Sequence, residues 1–381
     1  MDSNLSKELL DLAGLLGNTE RMNEFQVVIG FDGFVDEIID VVDKRDSLDR
    51  YQRMANISDL GNRILKAAGL STNIELVSKA VKLGGNGPIM GNALVSAGAN
   101  VSYLGALGLP EVHQVFKELV DRCETVYSIA DPGHTDALEF TDGKVMIGKI
   151  QSLNDVNWIN LVKLVGEDAL VRMFTEANLI ATVNWTMTPY MNEIWANLLA
   201  RLPKSTQGKK PLFFVDLADP EKRKNEDILE ALNMIQSFGQ HYRAVLGLNR
   251  KEASEVATVL GLTLSASPDQ VGLEEITKAI GEALDLYCLM VHPTSEAAAY
   301  CQGEYAYTEG PYTSNPQLTT GAGDNMNSGF CLGLLLELPL QRALQLGAAT
   351  SGYYVRNTHS PSFNQLKDFV DLWAKNAAED F

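Results

Sequence analysis

The stretch that decides the fold is LTTGAGDNMNSGF, residues 318–330. Gly321, Ala322 and Gly323 run into Asp324, and an apolar segment, FCLGLLLEL, follows. An apolar run on nearly every face is a buried helix. The small residues therefore sit at its first turn, where backbone N–H groups lack intrahelical partners and the dipole is positive. Gly and Ala let an anion approach those groups closely. Asp324 beside that anion is placed to take a proton from a hydroxyl attacking a phosphoryl group. The competing reading is a glycine-rich turn that merely permits close helix packing, with Asp324 as a cap.

Outward from there the chain alternates. NLIATVNW (178–185), KPLFFVDLAD (210–219), RAVLGLN (243–249) and LYCLMVH (286–292) read as strands. PYMNEIWANLLARL, EDILEALNMIQSF, KEASEVATVLG and LEEITKAIGEALD read as helices between or beside them. Continuous Val/Ile/Leu/Phe strands separated by helices indicate a mostly parallel sheet covered on both faces, with ligands at the carboxyl ends of the strands. Upstream, QVVIGFDG (26–33) is a buried strand, GNALVSAGA (91–99) a small-residue helix, and NVSYLGALG (100–108) a further strand. DALEFTDGKVMIGKI (136–150) is a hairpin closed by Thr-Asp-Gly. The expectation is one α/β domain over residues 1–381, a three-layer α/β/α arrangement. The hairpin-like pieces of the N-terminal third would form a small β insert or lid, and 1–23 and 46–70 additional helices.

Three further pieces carry chemistry. In GLNRKEASEV, Asn249 ends a strand and Glu252 lies in the first turn of a helix, which brings both side chains to one side. Glu252 is suited to hold Mg²⁺ through water; the same spacing is also a capping box. In KLGGNGPIMGNAL, Gly84 and Gly85 permit a tight turn, and Asn86 and Asn92 offer amides for hydroxyls. In GFDGFVDEI, Asp32 and Asp36 follow the first strand and are paired carboxylates for gripping a sugar, or helix caps. Thr320 and Asn327, flanking the Gly-Ala-Gly turn, are further candidates for the nucleotide and Mg-phosphate side. His134 with Asp136, and Asn184 with Trp185, are weaker candidates.

The bulk numbers exclude some partners. Lys and Arg total 31 against 49 Asp and Glu, a net charge of −18. Nucleic acid and anionic membrane surfaces need a positive field, so neither is expected as a partner. Cys123, Cys288, Cys301 and Cys331 have no Cys-x-x-Cys spacing and fit a reducing compartment. The start lacks a basic region before its leucines, and the longest apolar run is too short for a bilayer and carries Glu337. A cytoplasmic location is expected. A dinucleotide oxidoreductase would need Gly-x-Gly-x-x-Gly after the first strand, and GFDGFVDE does not supply it.

These pieces, in this order, resemble the ribokinase-like (PfkB) carbohydrate kinases over roughly residues 25 to 365. LTTGAGDNMNSGF resembles the family's C-terminal signature, Gly84-Gly85 its glycine motif, Asn249 to Glu252 its Asn-x-x-Glu motif, and Asp36 (or Asp32) its sugar-gripping aspartate. FVDLADPEKRK resembles a further stretch through Asp216 and Arg223. The resemblance implies transfer of the γ-phosphate of ATP to a sugar-type hydroxyl. Asp324 would be the base, the 321–323 amides the anion hole, and Asn249 and Glu252 the support for Mg²⁺ and phosphate. It also implies a lid, from segments near 37–45, 73–83 and 132–150, closing over the sugar, and a homodimer. The alternative is a sugar- or nucleoside-binding relative with weak or no catalysis. Departures are specific. Leu318 stands where relatives carry an aspartate at the site of a monovalent cation. Ile89 takes the ungapped asparagine position. His292-Pro293-Thr294-Ser295 replaces a Thr-x-Gly turn, and NTHSPS (357–362) a Gly-Ala.

Overall fold

The computed structural model describes residues 3–17, 19–203, 209–377 and 380–381. In chain order its strands are β1 (Gln26–Phe31), β2 (Phe34–Arg45), β3 (Tyr51–Arg53), β4 (Leu76–Gly84), β5 (Asn100–Gly105), β6 (Thr125–Ser128), β7 (Gly133–Phe140), β8 (Gly143–Lys149), β9 (Leu179–Val183), β10 (Leu212–Asp216), β11 (Arg243–Leu248), β12 (Cys288–Val291), β13 (Glu296–Cys301) and β14 (Glu304–Glu309). Its helices are α1 (Ser3–Leu15), α2 (Ile57–Lys66), α3 (Asn86–Ser96), α4 (Lys117–Val120), α5 (Trp158–Val165), α6 (Glu167–Glu176), α7 (Met191–Arg201), α8 (Asn225–Phe238), α9 (Arg250–Val259), α10 (Leu273–Ala283), α11 (Ala322–Leu335), α12 (Leu340–Asn357) and α13 (Phe363–Lys375).

The main sheet runs β14-β13-β12-β11-β10-β9-β1-β5-β6. Every pairing from β12 across to β6 is parallel, and β13 and β14 close the edge antiparallel. Successive side chains of a strand point to opposite faces, so both faces of a buried strand must be apolar. Val27 and Ile29 face one layer with Leu12 of α1, Leu94 of α3, Phe330 of α11, Leu344 of α12 and Leu366 of α13. Val28 faces the other, with Leu161 of α5, Phe174 of α6, Trp195 of α7, Ile235 of α8, Val256 of α9 and Ile280 of α10. The three-layer α/β/α expectation is met.

The lid is a second sheet built on β2. This strand pairs β4 antiparallel, β7 parallel and, at its far end, β3; β8 pairs β7. The acidic stretch after Asp36 is one long strand to Arg45. Segment 46–70 is not helical throughout: it holds the short β3 and then only α2. Burial explains the difference. Leu60 of α2 and Met54 cover Ile39, Val41, Leu138 and Phe140, giving the lid its own small core. By strand alternation, Asp36 and Thr135 lie on the opposite face of the lid from that core. The hairpin closes at Phe140 opposite Gly143. The stretch 151–177, silent in the sequence, forms α5 and α6.

α11 is held against α12 at very short range. A Cβ on Gly333 would lie 2.5 Å from Ala343 Cα and 2.7 Å from Ala343 Cβ. Replacing an interior helical Gly by Ala gains about 1 kcal/mol of helix propensity. Overpacking against a neighbouring backbone costs about 1–3 kcal/mol. The second effect should win, so Gly333→Ala is expected to lower the urea midpoint by about 1 kcal/mol of stability; a raised midpoint would show that the helices separate freely.

Candidate active site

The strand order changes direction at β1, between β9 and β5. A crevice forms outside the carboxyl ends of the strands at such a point. Asp32, Asn184, Asp216, Asn249 and His292 stand there, each at or one residue beyond the end of β1, β9, β10, β11 and β12 respectively. The first turn of α11 comes to the same place.

Asp32 is fully buried, and its carboxylate is heavily engaged. Oδ1 accepts from Gly87 N at 2.8 Å; Oδ2 accepts from Asn86 N at 3.0 Å and Asn184 Nδ2 at 2.7 Å. It therefore caps the N-terminus of α3. Burial pushes its pKa up to about 6 despite these donors. Asp36 is differently placed. Its carboxylate lies over Gly84, where a Cβ would stand 2.3 Å from its oxygens, and burial raises its pKa, with Thr135 hydrogen-bonded to it opposing. Gly85 follows at φ 93°, a left-handed backbone that only glycine adopts without strain. The two glycines thus let the β4–α3 corner pass directly beneath the two aspartates.

Asn86, the first residue of α3, spans the site: its Nδ2 donates to Asp324 Oδ1 at 2.9 Å. Asn92 does not join it. Six residues further along α3, its Oδ1 accepts from Arg122 at 3.3 Å. Helical geometry turns the two asparagines to different sides, so the structure does not bring Asn92 to Asp324. Ile89 faces the crevice instead, against Gly321.

Gly321 caps α11 at φ 90°, ψ 0°. A Cβ there would meet Tyr354 Oη at 2.9 Å, and that hydroxyl donates to Thr320 O at 2.9 Å. The 321–323 amides are not all open: Ala322 N donates to Thr319 O at 3.1 Å in a local turn. Leu318, at the lost aspartate position, makes only a backbone bond to Val355 O. The remodelled 357–362 loop reaches the same turn, with Ser360 Oγ donating to Asn325 Oδ1 and Asn325 Nδ2 to Gly321 O, both at 2.9 Å.

Asp324 is buried, and its pKa is driven well up by burial and by the negative charges of Asp216, Asp32 and Glu252, with Asn86 opposing. Asn249 and Glu252 form a full capping box: Glu252 N donates to Asn249 Oδ1 at 3.0 Å and Asn249 N to Glu252 Oε2 at 2.9 Å. Glu252 Oε1 also accepts from Asp219 N. Burial, then Asp216, raises Glu252 to about 8. Asn327 Nδ2 donates to Asp216 Oδ2 at 2.8 Å, so this residue braces Asp216. Arg223 is spent structurally, donating to the carbonyls of Trp185, Thr186 and Thr188 while lying over the Trp185 ring. His134 ion-pairs with Asp136 and Glu37 on the far face of the lid from Asp36.

Asn184 (φ 58°) stands at the crevice, and Tyr354 reaches its edge through its hydroxyl. Only the strand-end position of Asn184 hinted at a role. Asn184 Oδ1, Asn327 Oδ1 and His292 Nε2 are buried without a hydrogen-bond partner. Each such group costs about 1–3 kcal/mol, and these three border one crevice. An open groove of about 590 Å³ beside α2, lined by Asp43, Arg53, Arg63 and Lys66, shares no residue with it.

The cluster of Asp216, Glu252 and Asn327 offers hard oxygen donors around an orphaned acceptor, and none of the raised pKa values owes anything to a lysine or arginine in the crevice. Such a donor set suits Mg²⁺.

The fold and the relatives below make the protein a ribokinase-like carbohydrate kinase. The family model for prokaryotic ketohexokinase matches residues 17–373, and the chain belongs to that family. It is 27% identical over 353 residues, 92% of each chain, to the ketohexokinase of Haloferax volcanii. Similar solved folds include Arabidopsis thaliana ribokinase complexed with ribose and ATP (TM-score 0.62, 15% identity, covering 91% of this chain and 98% of that one) and a phosphofructokinase-2 mutant from Escherichia coli (0.61, 13%, 92% and 99%). Among the described residues no helix is long and apolar enough to cross a membrane.

Raised carboxylate pKa values have a stability consequence. Such a group stabilises the fold while protonated, and that contribution is lost as pH rises from its ordinary value to its folded one. For Glu252 the window runs from 4.5 to about 8. The melting temperature of the ligand-free protein should fall by on the order of 5 °C between pH 5.5 and 8. Glu252→Gln should flatten that slope, and equal slopes for both proteins would remove Glu252 as its source.

Proposed function

We propose that this protein transfers the γ-phosphate of ATP to a ketohexose hydroxyl, with Asp324 as general base. The Asn86 bond to Asp324 Oδ1 carries this reading, because it ties the carboxylate at the first turn of α11 to the corner beneath Asp36. A sugar lying between Asp36 and Asp324 would put one hydroxyl on each carboxylate. Asp36 is the sugar-gripping group, since the lone pairs of Asp32 are largely committed to its cap and to Asn184. The raised pKa of Asp324 suits a base that must take a proton as the hydroxyl attacks. The same resemblance that names the family supports the ketohexose, through the curated ketohexokinase of H. volcanii.

The amides of Gly321 and Gly323 face the transferring phosphoryl group at the positive end of α11, and Ala322 N joins them if the Thr319 turn opens. Mg²⁺ is the divalent ion this set suits. Glu252 would hold it through water, with Asp216, Asn249 and Asn327 on the same side, and it would neutralise phosphate charge. Thr320 presents its backbone to the nucleotide side, clamped by Tyr354. The lid sheet closes over the sugar and excludes water.

Leu76, Val81, Met146 and Ile147 of the lid are exposed. Pairing of two lids would cover part of this apolar surface. Light scattering should accordingly report a dimer, and a monomer at micromolar concentration would remove it. The location that fits this chemistry is the cytoplasm, where ATP and reduced cysteines coexist.

Asp324→Asn should lower kcat for ketohexose phosphorylation by about 10² to 10⁴ while the far-UV spectrum and melting curve stay close to wild type. A coupled-ADP assay with fructose and other sugars checks this, and near-wild-type turnover would remove Asp324 as the base.

A further inference from the structure

His292 takes no part in the reading above, yet its ring lies in the crevice. It is the first residue beyond β12, and its backbone N–H donates to Leu248 O at 2.9 Å, which fixes it beside Asn249 at the carboxyl edge of the sheet. The imidazole rests against the first turn of α11. A Cβ on Gly323 would stand 3.2 Å from His292 Cε1 and 4.0 Å from Nε2. Nε2 is buried and has no hydrogen-bond partner.

Resting on the kinase reading, we propose that His292 Nε2–H donates a hydrogen bond to a non-bridging phosphate oxygen of the nucleotide, beside the amide of Gly323, and so positions the phosphate chain for transfer. Three observations converge on this role. The nitrogen is a buried polar atom with nothing in the protein to satisfy it, which is costly unless a ligand does so. It borders the N-terminus of a fourteen-residue helix whose first turn is built of small residues. It also occupies the strand end next to the Asn249–Glu252 pair, on the nucleotide side of the crevice and away from Asp36. Burial lowers the ring's pKa to about 4, with a hydrogen bond to its own backbone opposing, so the imidazole is neutral at working pH; the proposal requires the tautomer with the proton on Nε2, which donates without adding charge. Gly323 is then required twice: for close approach of phosphate to the helix, and because any side chain there would press on the ring.

The rival account is that His292 only fills space behind Gly323. Two variants separate them. His292→Phe keeps a planar ring and removes the donor; His292→Gln keeps an N–H donor on a flexible chain. ADP binding by calorimetry with Mg²⁺ is read beside fructose binding, so the result does not depend on turnover. Loss of one hydrogen bond to a charged oxygen, about 1.5–3 kcal/mol, corresponds to roughly a 10- to 100-fold change. His292→Phe should weaken ADP by that factor and raise the KM for ATP, with fructose affinity unchanged, and His292→Gln should recover a large part of the ADP affinity. Wild-type ADP affinity in His292→Phe would overturn the proposal. So would equal losses of ADP affinity in both variants, or a parallel loss of fructose affinity, since each marks a packing role. If His292→Phe does not fold, His292→Gln decides alone: ADP affinity weakened more than 100-fold with a normal melting curve would overturn it. Failure of the wild-type protein to phosphorylate any ketohexose would strike the substrate reading and leave the ADP measurement standing.

Discussion

The structure depends on keeping several carboxylates buried at one point without a basic partner. Asp32, Asp216, Glu252 and Asp324 meet at the carboxyl edge of the main sheet, and each has its pKa raised first by burial. What makes this tolerable is amide chemistry. Asp32 takes backbone donors from the start of α3 and a side-chain donor from Asn184; Glu252 takes the amides of Asn249 and Asp219; Asp216 takes Asn327; Asp324 takes Asn86. Neutral donors stabilise the ionised forms without cancelling their charge.

Secondary structure supplies those donors in register. A helix start offers N–H groups with no partner of their own, and α3, α9 and α11 all begin at this edge. Each meets a carboxylate there: Asp32 at α3, Glu252 within α9, Asp324 within α11. Two tasks, capping and chemistry, thus share one set of groups. The Asn249–Glu252 pair shows the overlap most clearly. It is a complete capping box, and the same geometry fixes Glu252 toward Asp216. Reading the motif as either a cap or a phosphate-side element set up a choice that the structure does not require.

The lid works by a similar economy. Its outer face is sealed by α2 and Met54 over Ile39, Val41, Leu138 and Phe140. Its inner face is left for Asp36 and Thr135. A sheet buried on one face and wet on the other reads as alternation, but β2 mixes acids into both faces, with Glu37 beside His134 and Asp136 on the outer one. That mixing leaves no period-2 signal over the acidic part of β2.

The alternating apolar strands of 178–292, the buried helix after Asp324 and the glycine-rich turn before it were sufficient to define the layered sheet and the end of it that carries the chemistry, because periodicity and small-residue runs are local properties. The places of Asp32, Asp36, Asn86, Glu252 and Asp324 near strand ends and helix starts were legible for the same reason, since those boundaries are visible in one dimension. What the chain could not reveal alone was orientation between distant segments. Whether Asn86 or Asn92 faces Asp324, whether Asp32 is left open for a ligand, and that His292, Asn184 and Tyr354 converge on residues 321–323 all depend on which side of a packed helix or strand meets which neighbour. Those relations arise only when β1, β9, β12 and α11 are brought together by burial, with no trace in the spacing of any one segment.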